Sequence, residues 1–324
     1  MMSFLVTGAT GYVGREVVRQ LLELGKDVTV LGRTMPDFEV PFIQADFTDA
    51  EALDRALYGK RFDSILHIAS LPGDTGDPVQ MVRVNVNGCQ NMLEFARKSA
   101  TERFVLSGSI AAYEWYPATK FNPPDYMPVD EHHPCRPKDM YGTTKRMQEE
   151  LALTYYHEYG VPVSVLRLTA VVGPRGRGGG RGWREFAEKL AEGRKVQIPH
   201  FSMDELCHYV DLRDAARMHV AVSEHAAAVP EIFNCCGPGP IRGSEFADLV
   251  RTIVPGIEVE YGFPWSMAQG GEISFSMEKA KRVIGFEPRY TMADSIGSIK
   301  DWIDAGGLDE SATGNEKFGS GLAQ

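Results

Sequence analysis

The chain has 324 residues, 43% hydrophobic and 24% charged, with a formal net charge of −10. That is enough for one large domain or two joined ones, and the acidic balance excludes a general nucleic-acid binder, whose phosphate contacts need a basic field. No apolar run reaches the roughly 18 residues of a membrane helix, glycine breaks "MMSFLVTGATG" too early for a signal-peptide core, and Cys89, Cys135, Cys207, Cys235 and Cys236 show no pairing pattern.

Scattered thiols without a pairing pattern fit a reducing compartment, so the expectation is a cytoplasmic protein with neither membrane nor nucleic-acid partner. Strand candidates follow in order at 4–7, 28–31, 42–45, 65–69, 103–107 and 163–168. Amphipathic stretches separate them. Val17, Leu21 and Leu24 form one helical stripe, and within 79–99 Val82, Val86, Cys89, Leu93 and Ala96 form another. Such alternation specifies an α/β fold, a doubly wound Rossmann-type parallel sheet covered by helices on both faces.

After residue 172 the rhythm breaks. "GPRGRGGGRG" (173–182) reads as a flexible loop, a helix follows near 183–192, and strand-like "CHYVDL" (207–212) and "IFNCC" (232–236) return. The expected division is a dinucleotide-binding domain at 1–172 plus about 207–236. A smaller C-terminal α/β substrate lobe takes 173–206 and 237–303. The Gly, Ser, Asp and Glu content from 304 to 324 reads as a frayed tail.

"FLVTGATGYVGREVVRQLL" sets Gly8, Gly11 and Gly14 between an apolar strand and an amphipathic helix. Glycines allow a tight turn and close approach to a pyrophosphate. The N–H groups of the helix start, around Thr10, Gly11, Tyr12 and Val13, then face its phosphates. An acidic residue at the end of the second strand would bind the ribose hydroxyls of NAD. This chain has Gly32 and Arg33 there. Arg33 can pair with a 2′-phosphate, which favours NADP, or it is merely solvated or stacked on adenine, which serves either cofactor and leaves NAD as the alternative.

With these motifs stand "ADFTD" (45–49), "HIA" (67–69), "VNVNGCQNML" (84–93), "LSGSIAAY" (106–113), "YGTTK" (141–145), "YVDLRDAA" (209–216), "IFNCCGPG" (232–239) and "KAKRVIGFEP…DWI" (279–303). In this order they resemble the extended short-chain dehydrogenase/reductases, in the NAD-dependent epimerase/dehydratase branch. The resemblance implies that Asp46 and Phe47 border the adenine, that Ala69 lies against the cofactor, and that Lys145 holds the nicotinamide ribose. It places Asn85, Ser107 and Tyr141 in the same surroundings. It also implies homodimers built from the helices at 79–99 and 141–159.

Tyr141 and Lys145 stand one helical turn apart, which brings a phenol and an ammonium to one point. Moving a hydride between a carbinol and nicotinamide requires the hydroxyl proton to leave. A tyrosine, ordinarily near pKa 10, accepts it only if the phenolate is stabilised by about 4 kcal/mol. One ammonium about 4 Å away at an effective dielectric near 20 supplies about that. Tyr141 is thus the expected general acid/base and Lys145 its electrostatic partner. Ser109 matches the family position that steadies the substrate oxygen, with Ser107 as the alternative. The plain structural alternative for Ser109 is a turn hydroxyl capping backbone.

"HHPC" (132–135) lacks a second ligand pair, so no metal is expected. Arg175, Arg177 and Arg181 are either anchors for an anionic substrate or simply solvated. Dehydratases of the family carry an Asp-Glu pair after the position of Ser109, where this chain has Ile110 and Ala111. Sugar-nucleotide members grip the pyrophosphate with an arginine where this chain has Cys207. The resulting expectation is an NAD(P)-dependent epimerase or oxidoreductase, not a 4,6-dehydratase. Its substrate is sugar-type: a sugar nucleotide, sugar or sugar acid. A dinucleotide-binding sensor or scaffold without turnover is the alternative.

Overall fold

In the computed structural model, residues 2–73, 77–113, 124–176, 180–193, 195–198, 203–261 and 272–310 are described. The first half runs β1 (Ser3–Thr7), α1 (Tyr12–Glu23), β2 (Asp27–Gly32), β3 (Phe42–Gln44), α2 (Ala50–Ala56), β4 (Ser64–His67), α3 (Pro78–Met81) and, after a π-helical stretch at Val82–Asn87, α4 (Gly88–Lys98). Then come β5 (Arg103–Ser109), a 3-10 turn (Ile110–Ala112), α5 (Met140–Tyr159), β6 (Val163–Leu168) and β7 (Ala170–Val172). The second half runs α6 (Arg181–Glu192), β8 (Lys195–Ile198), β9 (Leu206–Cys207), β10 (Tyr209–Asp211), α7 (Leu212–Glu224) and β11 (Ile232–Cys235). It closes with β12 (Ile241–Arg242), α8 (Gly243–Ile253), β13 (Glu258–Tyr261), α9 (Glu278–Ile284), α10 (Met292–Asp304) and α11 (Gly307–Glu310).

Seven parallel strands form the main sheet in the order β11-β6-β5-β4-β1-β2-β3. Both faces are covered, so β4 and β6 are buried along their whole length, mostly apolar but enclosing Ser64, His67, Ser164 and Arg167 as well. On one face Val17, Val18 and Leu21 of α1 pack with Ala215, Met218 and Val222 of α7. On the other, Cys89, Met92 and Leu93 of α4 meet Ala152 and Tyr155 of α5. A separate core gathers Trp183, Phe186 and Leu190 of α6 with Phe246 and Val250 of α8 and Ile299 and Trp302 of α10. The order in which strands are added reverses between β1 and β4, the chain building outward to β2 and β3 on one side and to β5, β6 and β11 on the other. Doubly wound sheets bind ligands at the strand carboxyl ends beside that reversal.

Three elements differ from the sequence expectation. The single strand expected at 207–212 is two: β9 pairs antiparallel with β12 and β10 parallel with β7. It stops because Asp211 turns to cap α7, accepting from the Arg213 N–H at 2.8 Å. The continuous helix expected over 79–99 starts on an Asp77 cap and widens into the π stretch before α4. Asn85 lies in that stretch, and its buried amide is bonded elsewhere, which fixes the side chain at the cost of helical regularity. The first part of the tail expected over 304–324 is helical, since α10 runs to Asp304 and α11 spans Gly307–Glu310; positions 311–324 lie outside the described residues.

Candidate active site

The glycine loop is tight for reasons visible atom by atom. Gly8 sits at φ +78°, and a Cβ there would stand 2.7 Å from the Ala69 nitrogen. A Cβ on Gly14 would lie 2.2 Å from the Gly8 carbonyl oxygen. Gly11 caps α1 with no side-chain bond and no carboxylate follows in the first turn. The N–H groups of Tyr12 and Val13 therefore open on a positive helix end suited to a phosphate. The Thr7 hydroxyl at the end of β1 accepts from the Ile68 and Ala69 N–H groups, both at 3.2 Å. Its hydrogen is then left for Nδ1 of His67 at 2.9 Å. Burial, helped by the charge of Lys145, pushes His67 down to about 3, so it stays neutral and structural. Neither Thr7 nor His67 had an assigned role from sequence; pairing β1 with β4 across Thr7 and His67 is what joins them.

The hydroxyl of Tyr12 donates to the Gly173 carbonyl at 2.8 Å, and its ring fills the space a Cβ on Gly180 would need, 2.7 Å away. Burial holds its phenol well above the usual value, so it remains a donor. The start of the 173–182 loop thus rests on the glycine cradle.

At the other end of the site, Arg33 is exposed just after β2, and its carbonyl accepts from Gln44 Nε2 at 3.1 Å. Burial pushes the Asp46 carboxyl up, but the N–H and hydroxyl of Thr48, with Arg33 and Arg83 nearby, hold it below the usual value. Phe47 is buried edge-on to His67 at 5.5 Å and against Gly88, where a Cβ would lie 2.3 Å from the ring.

The expected reacting side is built on α5. Asp139 caps it, accepting from the Gly142 N–H at 2.8 Å, and Gly142 lets the first turn close onto the 3-10 turn, since a Cβ would meet the Ala111 oxygen at 2.3 Å. That contact brings Tyr141 to the carboxyl end of β5, where Ser109 ends the strand. The Ser109 hydroxyl accepts from the Ala111 N–H at 3.1 Å. The capping alternative therefore holds for its lone pair, while the hydroxyl hydrogen remains to be donated. Lys145 is 2% exposed. Its Nζ donates to the Ser107 carbonyl at 2.9 Å and lies 5.7 Å from the centre of the Tyr141 ring. Burial lowers it to about 8, with Glu149 opposing. Asn85 faces inward: its Oδ1 accepts from the Leu71 N–H at 2.7 Å, and its Nδ2 donates to the Leu71 carbonyl at 3.2 Å and to Thr144 Oγ1 at 3.1 Å. It ties the segment after β4 to α5.

The model of the NAD dependent epimerase/dehydratase family matches residues 4–236, which is the span holding both the glycine cradle and the Tyr141–Lys145 pair. The chain belongs to that family. As a member it is an NAD-dependent enzyme. A UDP-glucose 4-epimerase from Halalkalibacterium halodurans is 26% identical, covering 91% of this chain and 93% of that protein. The UDP-glucose 4-epimerase of Thermotoga maritima, solved with UDP-glucose, superposes with a TM-score of 0.80 at 23% identity, covering 94% of this chain and 99% of that one. The UDP-glucuronic acid 4-epimerase of Bacillus cereus, solved with UDP-glucuronic acid and NAD, superposes at 0.76 with 20% identity and coverages of 94% and 99%.

Cys207 is fully buried among Trp183, Tyr209 and Phe246, and burial pushes its thiol up to about 12. Ile110 and Ala111 are buried and apolar. Arg175 holds φ +63°, uncommon for a residue with a side chain, and Arg181 opens α6; Arg177 lies outside the described residues. Of "HHPC", His133 is buried with both nitrogens used: Nε2 accepts from the Asp125 N–H at 3.0 Å, and Nδ1 lies 3.1 Å from the Pro134 carbonyl. No cluster of metal-ligating side chains occurs among the described residues.

Proposed function

We propose that the protein moves a hydride between a nicotinamide and a carbinol or ketone of a sugar-type substrate. Tyr141 exchanges the hydroxyl proton, Lys145 stabilises the phenolate and holds the nicotinamide ribose, and Ser109 donates to the substrate oxygen. The observation that carries this is the buried ammonium of Lys145 beside the Tyr141 ring. Nearly all of Lys145 is charged at neutral pH with a value near 8, and its field acts in a water-poor site where it is strongest. The cofactor, when bound, supplies the hydride acceptor. The residues at Gly8, Thr10, Gly11, Tyr12, Val13 and Gly14 suit its diphosphate, and Ala69 and Ser107 line the way to the ribose. An exposed Arg33 just after β2, where an acidic residue would bind the ribose hydroxyls of NAD, supports NADP over NAD, although the Bacillus cereus relative was solved with NAD.

Two apolar residues after Ser109 leave no carboxylate there to remove a proton and return it to a leaving hydroxyl. Elimination of water is therefore not part of the reaction, and epimerisation or simple oxidoreduction is. Burial of Cys207 leaves no cation at that position for a diphosphate. This supports an anionic sugar-type substrate held by at least one of Arg175, Arg177 and Arg181. Exposed Val79 on α3 and Met140, Met147 and Tyr159 along α5 suit a homodimer through these helices. Five free thiols suit the cytoplasm, and no helix among the described residues is long and apolar enough to cross a membrane.

Tyr141→Phe tests the mechanism. Dinucleotide affinity should stay within about twofold while turnover falls at least about a hundredfold. Turnover is read on whichever of UDP-glucose, UDP-glucuronate, glucuronate and galactose the wild type converts fastest. Unimpaired turnover would reject the assignment.

A further inference from the structure

Behind the reacting groups lies a buried cluster that the chemistry above uses only through the charge of Glu149, which favours the Lys145 ammonium. Arg167, near the end of β6, is among the largest fully buried side chains. Its Nε and Nη2 donate to the two carboxylate oxygens of Glu149 on α5, at 2.9 and 2.8 Å. Its guanidinium carbon lies 4.5 Å from the centre of the Tyr113 ring. Tyr113 ends the 3-10 turn that starts at Ser109, its N–H donating to the Ile110 carbonyl at 2.9 Å. Its hydroxyl donates toward Asn234 Oδ1 at 2.8 Å and the Asp130 carbonyl at 3.0 Å. Glu149 is one helical turn beyond Lys145 and two beyond Tyr141.

Three elements therefore meet at one guanidinium: β6 that carries it, α5 through Glu149, and the Ser109–Tyr113 turn through the ring. We infer that Arg167 is a positioning residue for hydride transfer, holding the Ser109 turn and the Tyr141 helix in register from behind. It rests on the mechanism proposed above. A planar fork that is bidentate on one side and stacked on the other fixes two neighbours at once, which a lysine cannot do. Lys145 is held separately by the Ser107 carbonyl, and the glycine cradle lies at the end of β1. Losing Arg167 should therefore disturb the chemical step and leave cofactor binding in place. A displacement of about 1 Å at reacting atoms can cost a hundredfold in rate.

Two variants separate positioning from stability. Arg167→Lys keeps the charge and removes the fork. Arg167→Met with Glu149→Leu replaces the buried pair by apolar side chains, an exchange that commonly preserves stability because no lone buried charge remains. Turnover and KM on the fastest sugar of the same four, NAD affinity by fluorescence, and the urea midpoint are measured with Tyr141→Phe alongside. Both variants should lose at least about tenfold in kcat, with KM and NAD affinity within about threefold, and the double variant should keep a midpoint near wild type. A double variant with wild-type midpoint and wild-type kcat would overturn the inference. So would losses of kcat, NAD affinity and folded fraction that run in proportion. If neither variant folds, Tyr113→Leu, which removes the ring stacked on the guanidinium and leaves the Arg167–Glu149 pair in place, should lower kcat with NAD affinity unchanged, and a normal kcat there overturns the inference. Normal turnover in Tyr141→Phe would instead remove the mechanism itself, whereas inactive Tyr141→Phe beside unimpaired Arg167 variants rejects the positioning role alone.

Discussion

Lys145 should destabilise the cofactor-free protein at neutral pH, and Lys145→Met should reveal it. Its folded value of about 8 lies below the ordinary 10.5 because burial penalises the ammonium. At about 1.36 kcal/mol per pH unit, that gap is a penalty of about 3 kcal/mol at pH 7. Between pH 8 and 10.5 the unfolded chain holds more protons at this site than the folded one, so stability rises with pH through that window. By pH 10 the penalty has shrunk to under about 1 kcal/mol. Methionine removes it at every pH and also forfeits the bond to the Ser107 carbonyl, about 1 kcal/mol. The variant should therefore be about 2 kcal/mol more stable than wild type at pH 7, and the advantage should disappear or reverse by pH 10. Urea unfolding of the cofactor-free proteins at both pH values measures it. The change in the difference, about 2.5 kcal/mol between the two pH values, does not depend on the hydrogen bond or on packing. A stability difference that stays constant with pH would refute the reasoning, as would a Lys145 that titrates above 10 by NMR.

Arg33→Ala should weaken NADPH by roughly 1.5–3 kcal/mol and NADH little; equal losses in fluorescence titrations would reject the pairing with a 2′-phosphate. Gly14→Ala should weaken both dinucleotides more than about a hundredfold, because its Cβ would stand 2.2 Å from the Gly8 carbonyl oxygen and the turn must open; near-normal binding would show that the turn yields. Replacing Arg175, Arg177 and Arg181 together by alanine should raise KM far more than it lowers kcat, and near wild-type kinetics would exclude the loop as the anion's anchor. UDP should inhibit the wild type poorly, since Cys207 is sealed in a core; strong competitive inhibition surviving the triple substitution would overturn the account of the substrate side.

Local rules make much of this chain legible from its sequence. Period-two and period-3.6 apolar patterns and glycine spacing are properties of neighbouring residues, so all six early strand candidates agree with β1 to β6 to within two residues at either end; β4 stops at His67, two residues short of its candidate, because Ile68 and Ala69 turn their N–H groups to Thr7. The Tyr141–Lys145 spacing belongs to the same class: one helical turn decides it. Where "CHYVDL" breaks was not legible, because its two halves pair with β12 and β7, strands more than thirty residues away in the chain. Nor was the π stretch, which answers to the buried amide of Asn85 and its bonds to Leu71 and Thr144. The neutral His67 under Thr7, the resting of Tyr12 on Gly173, the sealing of Cys207 and the fork of Arg167 on Glu149 are likewise contacts between distant segments. Charge and polarity in a sequence say which groups can bond. Only the packed fold, by excluding water from Lys145 and Arg167, decides which bonds they make and how far their proton affinities move.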